Sequence, residues 1–325
     1  MITISRRMLL AGAALSIALP ARAQTWPQRP VMVVVPQPAG NSPDILCRVI
    51  AEKLSRALGQ QFVVDNRPGA ANLVGTQAVA RAAPDGHTFL FATSAALVTN
   101  PFTFKSLPYD PRKDLVPIAL VARSNHVLLV HPDLKATTLP ELIALERKAP
   151  GTFSLGVDGP RNLTGLLAQA INKYGSAEFI LVPYNKTSQA VQDTVTGRIQ
   201  ATLQSASVAE PFIKEGSLRA IAVAGSRRIA SLPDVQSISE TLKSVDLQGW
   251  FMMMAPAGTP PDIVQKLSAE IDRILREPEM QERARVLGFQ TDAGKTASPS
   301  EAKQFLDTEF AASGRVIKEL GIEPE

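Results

Sequence analysis

Residues 31–50, VMVVVPQPAGNSPDILCRVI, constrain the fold more tightly than any other stretch of this 325-residue chain. Val31 to Val35 form an unbroken apolar run without polar alternation, which predicts a parallel strand buried on both faces. The turn Gln37-Pro38-Ala39-Gly40-Asn41 follows Pro36. Ser42-Pro43-Asp44 then reads as a helix start, with Ser42 at the N-cap, Pro43 at N1 and the Asp44 carboxylate in the first turn. Ile45, Val49, Ile50, Leu54 and Leu58 recur at helical spacing and give this helix one buried face. In open α/β sheets ligands sit where a strand's carboxyl end turns into a helix, and the helix N-terminus favours an anion.

The chain downstream repeats this layout. Residues 61–65 predict a second strand, the turn Asn66-Arg67-Pro68-Gly69-Ala70-Ala71-Asn72 leads into a helix over 73–83, and residues 88–92 form a third strand ending in Thr93-Ser94. This β-α-β-α-β order implies right-handed crossovers and a parallel sheet. The strand at 127–130 carries the chain into a new domain. There the strand at 153–156, the loop Val157-Asp158-Gly159-Pro160-Arg161-Asn162 and the helix from Leu163 form a second candidate anion cradle. Strands at 179–182, 199–203 and 218–223 continue this unit, with helices at 188–196 and 208–215. A strand at 250–254 returns to the first domain, and helices from Pro261 onward complete it. The expected division is 24–126 with 250–325, and 127–249.

Residues 1–23 read as an export signal outside the fold. Arg6 and Arg7 precede the apolar run from Met8 to Leu19, and Ala21-Arg22-Ala23 is a small-x-small cleavage site. Roughly twelve apolar residues are too few to span a bilayer. The segment fits either a Sec signal or a twin-arginine signal. Removing Arg6, Arg7 and Arg22, with no acids among residues 1–23, lowers the net charge from +4 to +1. The basicity therefore comes largely from the leader, and no basic run with interleaved aromatics points to nucleic acid. Cys47 is the single cysteine, so no intramolecular disulfide is possible; its place in the first helix makes it a packing residue.

Catalytic signatures are missing. The chain has no Gly-x-Ser-x-Gly elbow, no His-Glu-x-x-His, no Cys-x-x-Cys, no phosphate loop, and no Gly-x-Gly-x-x-Gly after the first strand. His87, His126 and His131 sit at turns and strand ends and read as structural residues, and no nucleophile is paired with a base. No catalytic residue, metal ligand or cofactor is expected; the pattern is one for holding a molecule.

At this point the motifs resemble a family. Val35-Pro36-Gln37-Pro38-Ala39-Gly40, Asp44-Ile45-Leu46 and Asn66-Arg67-Pro68-Gly69-Ala70 are similar to the opening of the substrate-binding proteins of tripartite tricarboxylate transporters, the Bug family. Pro84-Asp85-Gly86, Leu107-Pro108-Tyr109-Asp110-Pro111, Val182-Pro183-Tyr184, Leu232-Pro233-Asp234-Val235 and Ala255-Pro256-Ala257-Gly258-Thr259-Pro260 continue the match in order. The resemblance implies an α/β, two-lobed, type II-like periplasmic binding protein with two crossover segments and a ligand cleft between the lobes. It implies a monomer that closes on a small carboxylate and hands it to the membrane subunits of a transporter. A periplasmic sensor presenting its liganded form to a two-component system would use the same shape.

Carried over by position, the family's carboxylate loop falls on Gly40, Asn41, Ser42 and Asp44, with Asp44 either bracing the loop or touching ligand. The first lobe adds Thr93, Ser94 and Asn100. The second adds the 156–164 loop with Asp158, Arg161 and Asn162, then Tyr184, Lys186 and Thr187, and finally Gln204 and Ser205. Arg161 either holds a carboxylate bidentately or pairs with Asp158. Pro43 replaces a hydroxyl residue of the family loop and lacks an N–H. Gln204 stands where the family often has an aspartate, which removes a counter-charge for a ligand ammonium. The expected ligand is thus a carboxylate without an amino group, such as a dicarboxylate or an aromatic acid.

Overall fold

The computed structural model describes residues 26–243, 245–291 and 298–325; the export signal at 1–23 lies outside the described residues. The valine run forms β1 (Val31–Val35), which pairs in parallel with β2 (Phe62–Asn66) on one side and β3 (Thr88–Thr93) on the other. The long helix α1 (Ser42–Leu58) connects β1 to β2, and α2 (Leu73–Ala80) connects β2 to β3. α1 buries Leu46, Val49, Ile50 and Leu54 in one core with Phe89, Phe91 and Phe251. It ends at Gly59, whose φ of 72° is a left-handed conformation that glycine adopts without steric cost.

The three parallel strands belong to a mixed six-stranded sheet. Strand β10 (Gly249–Pro256) runs antiparallel to β3 and to β4 (Leu115–Ser124), and β11 (Phe289–Gln290) closes the edge, in the order β11-β4-β10-β3-β1-β2. A second, five-stranded sheet has the order β7-β6-β8-β5-β9 and comprises β5 (His126–Val130), β6 (Ser154–Val157), β7 (Ile180–Pro183), β8 (Ala201–Ser205) and β9 (Arg219–Val223). Its connecting helices are α4 (Leu139–Glu146), α5 (Leu163–Gly175), α6 (Thr187–Val195) and α7 (Ala206–Lys214), and the short α8 (Ile238–Thr241) follows β9. The protein is therefore a two-lobed α/β molecule, one lobe on each sheet. Between β3 and β4 the chain makes a π-helical turn (Ala95–Thr99) and α3 (Asn100–Thr103) where the sequence predicted only a loop after Thr93. Helices α9 (Pro261–Leu275), α10 (Pro278–Val286) and α11 (Pro299–Leu320) follow β10. Among the described residues no helix is long and apolar enough to cross a membrane.

The chain passes between sheets at Asn125 and again at Gln248. The two passages are tied together: Gln248 Nε2 donates to Asn125 Oδ1 at 2.8 Å, and Gly249 pairs with Ser124 across the β10–β4 ladder. Crowding sets what can stand there. A Cβ on Gly249 would lie 3.0 Å from Leu163 and 3.3 Å from both His126 and the Ser124 carbonyl.

One close approach positions the second-lobe loop. Gly165, in the first turn of α5, lies under the 157–162 loop, and a Cβ there would stand 2.6 Å from the Pro160 carbonyl carbon and press on the Gly159 oxygen. Backbone, unlike a flexible side chain, cannot yield cheaply. Gly165→Ala is expected to lower stability by about 1–3 kcal/mol, read as a lower urea midpoint with unchanged slope. An unaltered midpoint would show that the loop does not depend on this contact.

Candidate functional site

The turn after β1 is braced from below. Gly40, at φ 83°, donates its N–H to Asp44 Oδ2 at 2.8 Å, and Arg48 pairs with the same carboxylate at 3.0 Å. Burial pushes the Asp44 carboxyl up, but the Arg48 guanidinium and the Gly40 N–H outweigh it and hold the group below its ordinary value. Asn66 ties the same turn down by donating to Gln37 O at 3.1 Å. Gly40 and Asp44 thus shape the loop from behind and do not line the cleft. The N-cap is Asn41, not Ser42, one residue earlier than predicted, and no side chain caps the helix. Asn41 instead donates to Gln37 Oε1 at 3.2 Å. Freed from capping, the Ser42 hydroxyl donates across the lobes to Ser205 Oγ at 2.9 Å and lies 3.2 Å from Ser207 Oγ.

Beside this turn stand three successive non-glycine residues with left-handed backbones: Ala70 (φ 44°), Ala71 (φ 50°) and Asn72 (φ 76°). Each such residue costs about 1–2 kcal/mol, and such strain concentrates at functional sites. It places the buried Asn72 against the cleft with its Nδ2 unpartnered, while Gln37 holds its Oδ1. Asn100 does not reach the cleft. Its amide donates to Ala71 O at 2.7 Å and so supports the strained turn. Thr93 and Ser94 line the cavity from the end of β3.

In the second lobe Asp158, Asn162, Thr187, Gln204 and Ser205 line the same space. Asp158 is an exposed residue on the cavity wall; the protein atoms crowded around its carboxyl raise its pKa above the ordinary value and outweigh the lowering effect of the hydrogen bond it accepts from the Thr164 hydroxyl. Asn162 donates its amide to Asp158 O at 3.1 Å, leaving Oδ1 buried without a partner. Gln204 donates to Thr202 Oγ1 at 2.8 Å.

Three expected contacts point elsewhere. The Tyr184 hydroxyl donates to Asp193 at 2.8 Å, and Lys186 is an exposed residue at the start of α6; neither lines the cleft. Arg161 meets neither the cleft nor Asp158. It donates to Thr103 O in the first lobe and to Glu323 O at 3.2 Å, and its Nε pairs with Glu325 at 2.9 Å. Nearby, the Tyr174 hydroxyl donates to Glu319 at 2.7 Å and Lys173 donates to Glu319 O. Pro160 and the 157–162 loop turn the guanidinium outward, toward carbonyls that no residue count along the chain places next to it.

Sequence reasoning also missed residues on the cavity wall: Gln37, Asn72, Ser124, His126 and, as its floor, Trp250 and Phe251. His126 is the instructive one. It begins β5 at the passage between lobes, so the strand-end position that suggested a bland role is itself the cleft wall. Burial lowers its pKa to about 4, against a hydrogen bond to the Ser124 backbone, so the imidazole is neutral near pH 7; its Nδ1 is buried without a partner.

The cavity measures about 110 Å³. That is less than the roughly 150 Å³ that admits a benzene ring in a dry core. Residues at the starts of α1, the π-helical turn, α5, α6 and α7 line it. None of these five segments has a side-chain cap. Away from the cleft, α4, α8 and α11 are capped by Thr138, Ser237 and Ser298, whereas α3, α9 and α10 carry no side-chain cap. Among the described residues no lysine or arginine lines the cavity, and no group of three or more His, Cys, Asp or Glu is placed to hold a metal ion. Such a space favours a small anion bound by neutral donors.

The Arg161 cluster spans both lobes, so it stabilises their contact. Arg161→Ala removes about 1–2 kcal/mol of hydrogen bonding from the closed arrangement, equivalent to roughly a tenfold rise in ligand Kd. Small-angle scattering should show a larger radius of gyration for the unliganded variant. An unchanged radius and Kd would contradict this role.

The comparisons with known proteins agree with this geometry. A family model described as the tripartite tricarboxylate transporter family receptor matches residues 46–322. Protein BugT of Bordetella pertussis is 33% identical over 309 residues, spanning 94% of this chain and 93% of BugT. The R. palustris protein Rpa4515, solved with adipate, superposes with a TM-score of 0.86 at 30% identity over 93% of this chain and 100% of that one. MatC (Rpa3494) from Rhodopseudomonas palustris, solved with bound malate, gives 0.81 at 28% identity over 90% and 100%. With the family match running through both sheets and both passages between them, this chain belongs to the tripartite tricarboxylate transporter receptor family.

Proposed function

We propose that this protein is a periplasmic solute receptor. As a monomer, it captures a small organic carboxylate between its lobes and delivers it to the membrane subunits of a tripartite tricarboxylate-type transporter. The observation that carries this reading is the set of uncapped helix starts around a cavity whose lining holds, among the described residues, no lysine or arginine. A carboxylate entering it exchanges water for N–H and O–H donors already aimed inward, and hydrogen bonds to a charged acceptor are about twice as strong as neutral ones. Relatives support the ligand class: Rpa4515 was solved with adipate and MatC with malate. Export is supported by the arginine pair, apolar run and cleavage site within residues 1–23.

The mechanism is closure. With the lobes apart, the α1 start and the α5 to α7 starts face water; with them together, Ser42 meets Ser205 and the ligand's carboxylate is screened from competing solvent. In this reading the ligand is captured and released unchanged.

Denaturing the purified protein and identifying the released small molecule by mass spectrometry is expected to yield an organic acid, and acids of that class should raise the melting temperature. Ser42→Ala removes the hydroxyl that donates to Ser205 across the closed lobes and should weaken binding by calorimetry roughly three- to tenfold, since a neutral hydrogen bond contributes about 0.5–1.5 kcal/mol. Stabilisation by sugars or amines and by no carboxylate would refute the proposal.

A further inference from the structure

The unpartnered polar atoms of the cleft differ between the lobes. The first lobe offers a donor, the unpartnered Nδ2 of buried Asn72, beside the hydroxyls of Thr93 and Ser94. The second lobe and the passage into it add, beside the Thr187 and Ser205 hydroxyls, a set of acceptors. Asp158 is a carboxylate whose side-chain partner is the Thr164 hydroxyl, and it has no ion pair among the described residues. Asn162 Oδ1 and His126 Nδ1 are buried without partners, and Asn162 Oδ1 is left an acceptor because its amide nitrogen already donates to Asp158 O. Gln204 likewise has its amide nitrogen on Thr202.

Buried polar atoms in native proteins are paired, so three unpaired ones on one cavity describe what completes them. A second carboxylate placed against Asp158 would bring two like charges together beside two further acceptors, which is repulsive in a partly desolvated site. The start of α5, where an anion is favoured, already has one in Asp158, which accepts from Thr164 in that helix's first turn.

We infer that Asp158 is a resident anion of the second-lobe cradle and a specificity-determining residue: the ligand is a small monocarboxylate with an O–H or N–H donor at its other end, and symmetric dicarboxylates are rejected. This rests on the carboxylate reading above and narrows it. Gln204 removes an acid from one position of the second lobe, and Asp158 supplies a negative charge from another.

The test is a calorimetric panel at fixed pH on the exported chain. It uses butanoate, succinate, 2- and 4-hydroxybutanoate, and 2- and 4-aminobutanoate, with the natural protein and with Asp158→Asn. The natural protein is expected to bind at least one hydroxy or amino acid tenfold or more tighter than butanoate and succinate. Hydroxy and amino arms tell which donor is used, and a preference for either supports the inference. Asp158→Asn, verified as folded by its unfolding midpoint, should lose that preference and gain succinate binding at least tenfold. Succinate equalling or exceeding the hydroxy and amino acids on the natural protein overturns the inference alone, and that result needs no variant. An unchanged preference in Asp158→Asn also overturns it. Failure of every acid in the panel and of the released-ligand analysis removes the carboxylate reading itself.

Discussion

A carboxylate leaves water only if something replaces its hydration, and the replacement we propose is a set of helix N-termini without side-chain caps. Each helix start carries N–H groups with no intrahelical acceptor. A Ser or Thr side chain fills that need at α4, α8 and α11, through Thr138, Ser237 and Ser298, while α3, α9 and α10 go without one. Around the cavity the residues in capping positions are turned to other tasks. Asn41 reaches Gln37, Asn162 reaches Asp158 O, and Ser205 receives a hydrogen bond from Ser42 of the opposite lobe. The donors are thus left for a guest and placed by a strand–turn–helix unit used in both sheets. In the proposed mechanism, dipoles fixed in this way hold an anion without a paired cation, and release breaks no ion pair.

Closure follows from the same arrangement. The two passages between the lobes are joined by the Gln248–Asn125 hydrogen bond and crowded at Gly249, and rotation about them is the closure motion we propose. Cross-lobe contacts sit at the cleft, through serine hydroxyls, and at the last turn of α11 and the segment after it, through Lys173, Tyr174 and Arg161. These are hydroxyl, carbonyl and ion-pair contacts, individually modest. A bound anion can therefore decide the balance between open and closed forms.

Much of this was legible in the residues alone. The unpunctuated valines of β1, the Pro43-Asp44 helix start and the β-α-β-α-β order specified the first sheet, because burial on both faces and helical periodicity are local signals. The small-residue loops at Ser42, Thr93, Asp158 and Gln204 were found for the same reason. What failed was direction. Whether Arg161 faces the cleft or the far lobe depends on how a loop packs on Gly165, and whether His126 is a bland strand end depends on that strand end being the hinge. The strained turn at 70–72 was visible as a cluster of small residues, but its left-handed conformation, imposed by tertiary contacts such as Asn100 on Ala71, was not. Asn100 and Tyr184 had the right chemistry and the wrong neighbours.

The account stands or falls on where the anion's negative end lies. A crystal structure with a bound four-carbon acid tests it most directly. It should place the carboxylate oxygens within hydrogen-bonding distance of the Ser42 hydroxyl and of free N–H groups at the start of α1, with no lysine or arginine side chain touching them. A carboxylate held instead by a guanidinium or ammonium group, or seated anywhere outside the space between Ser42 and Ser205, would contradict it.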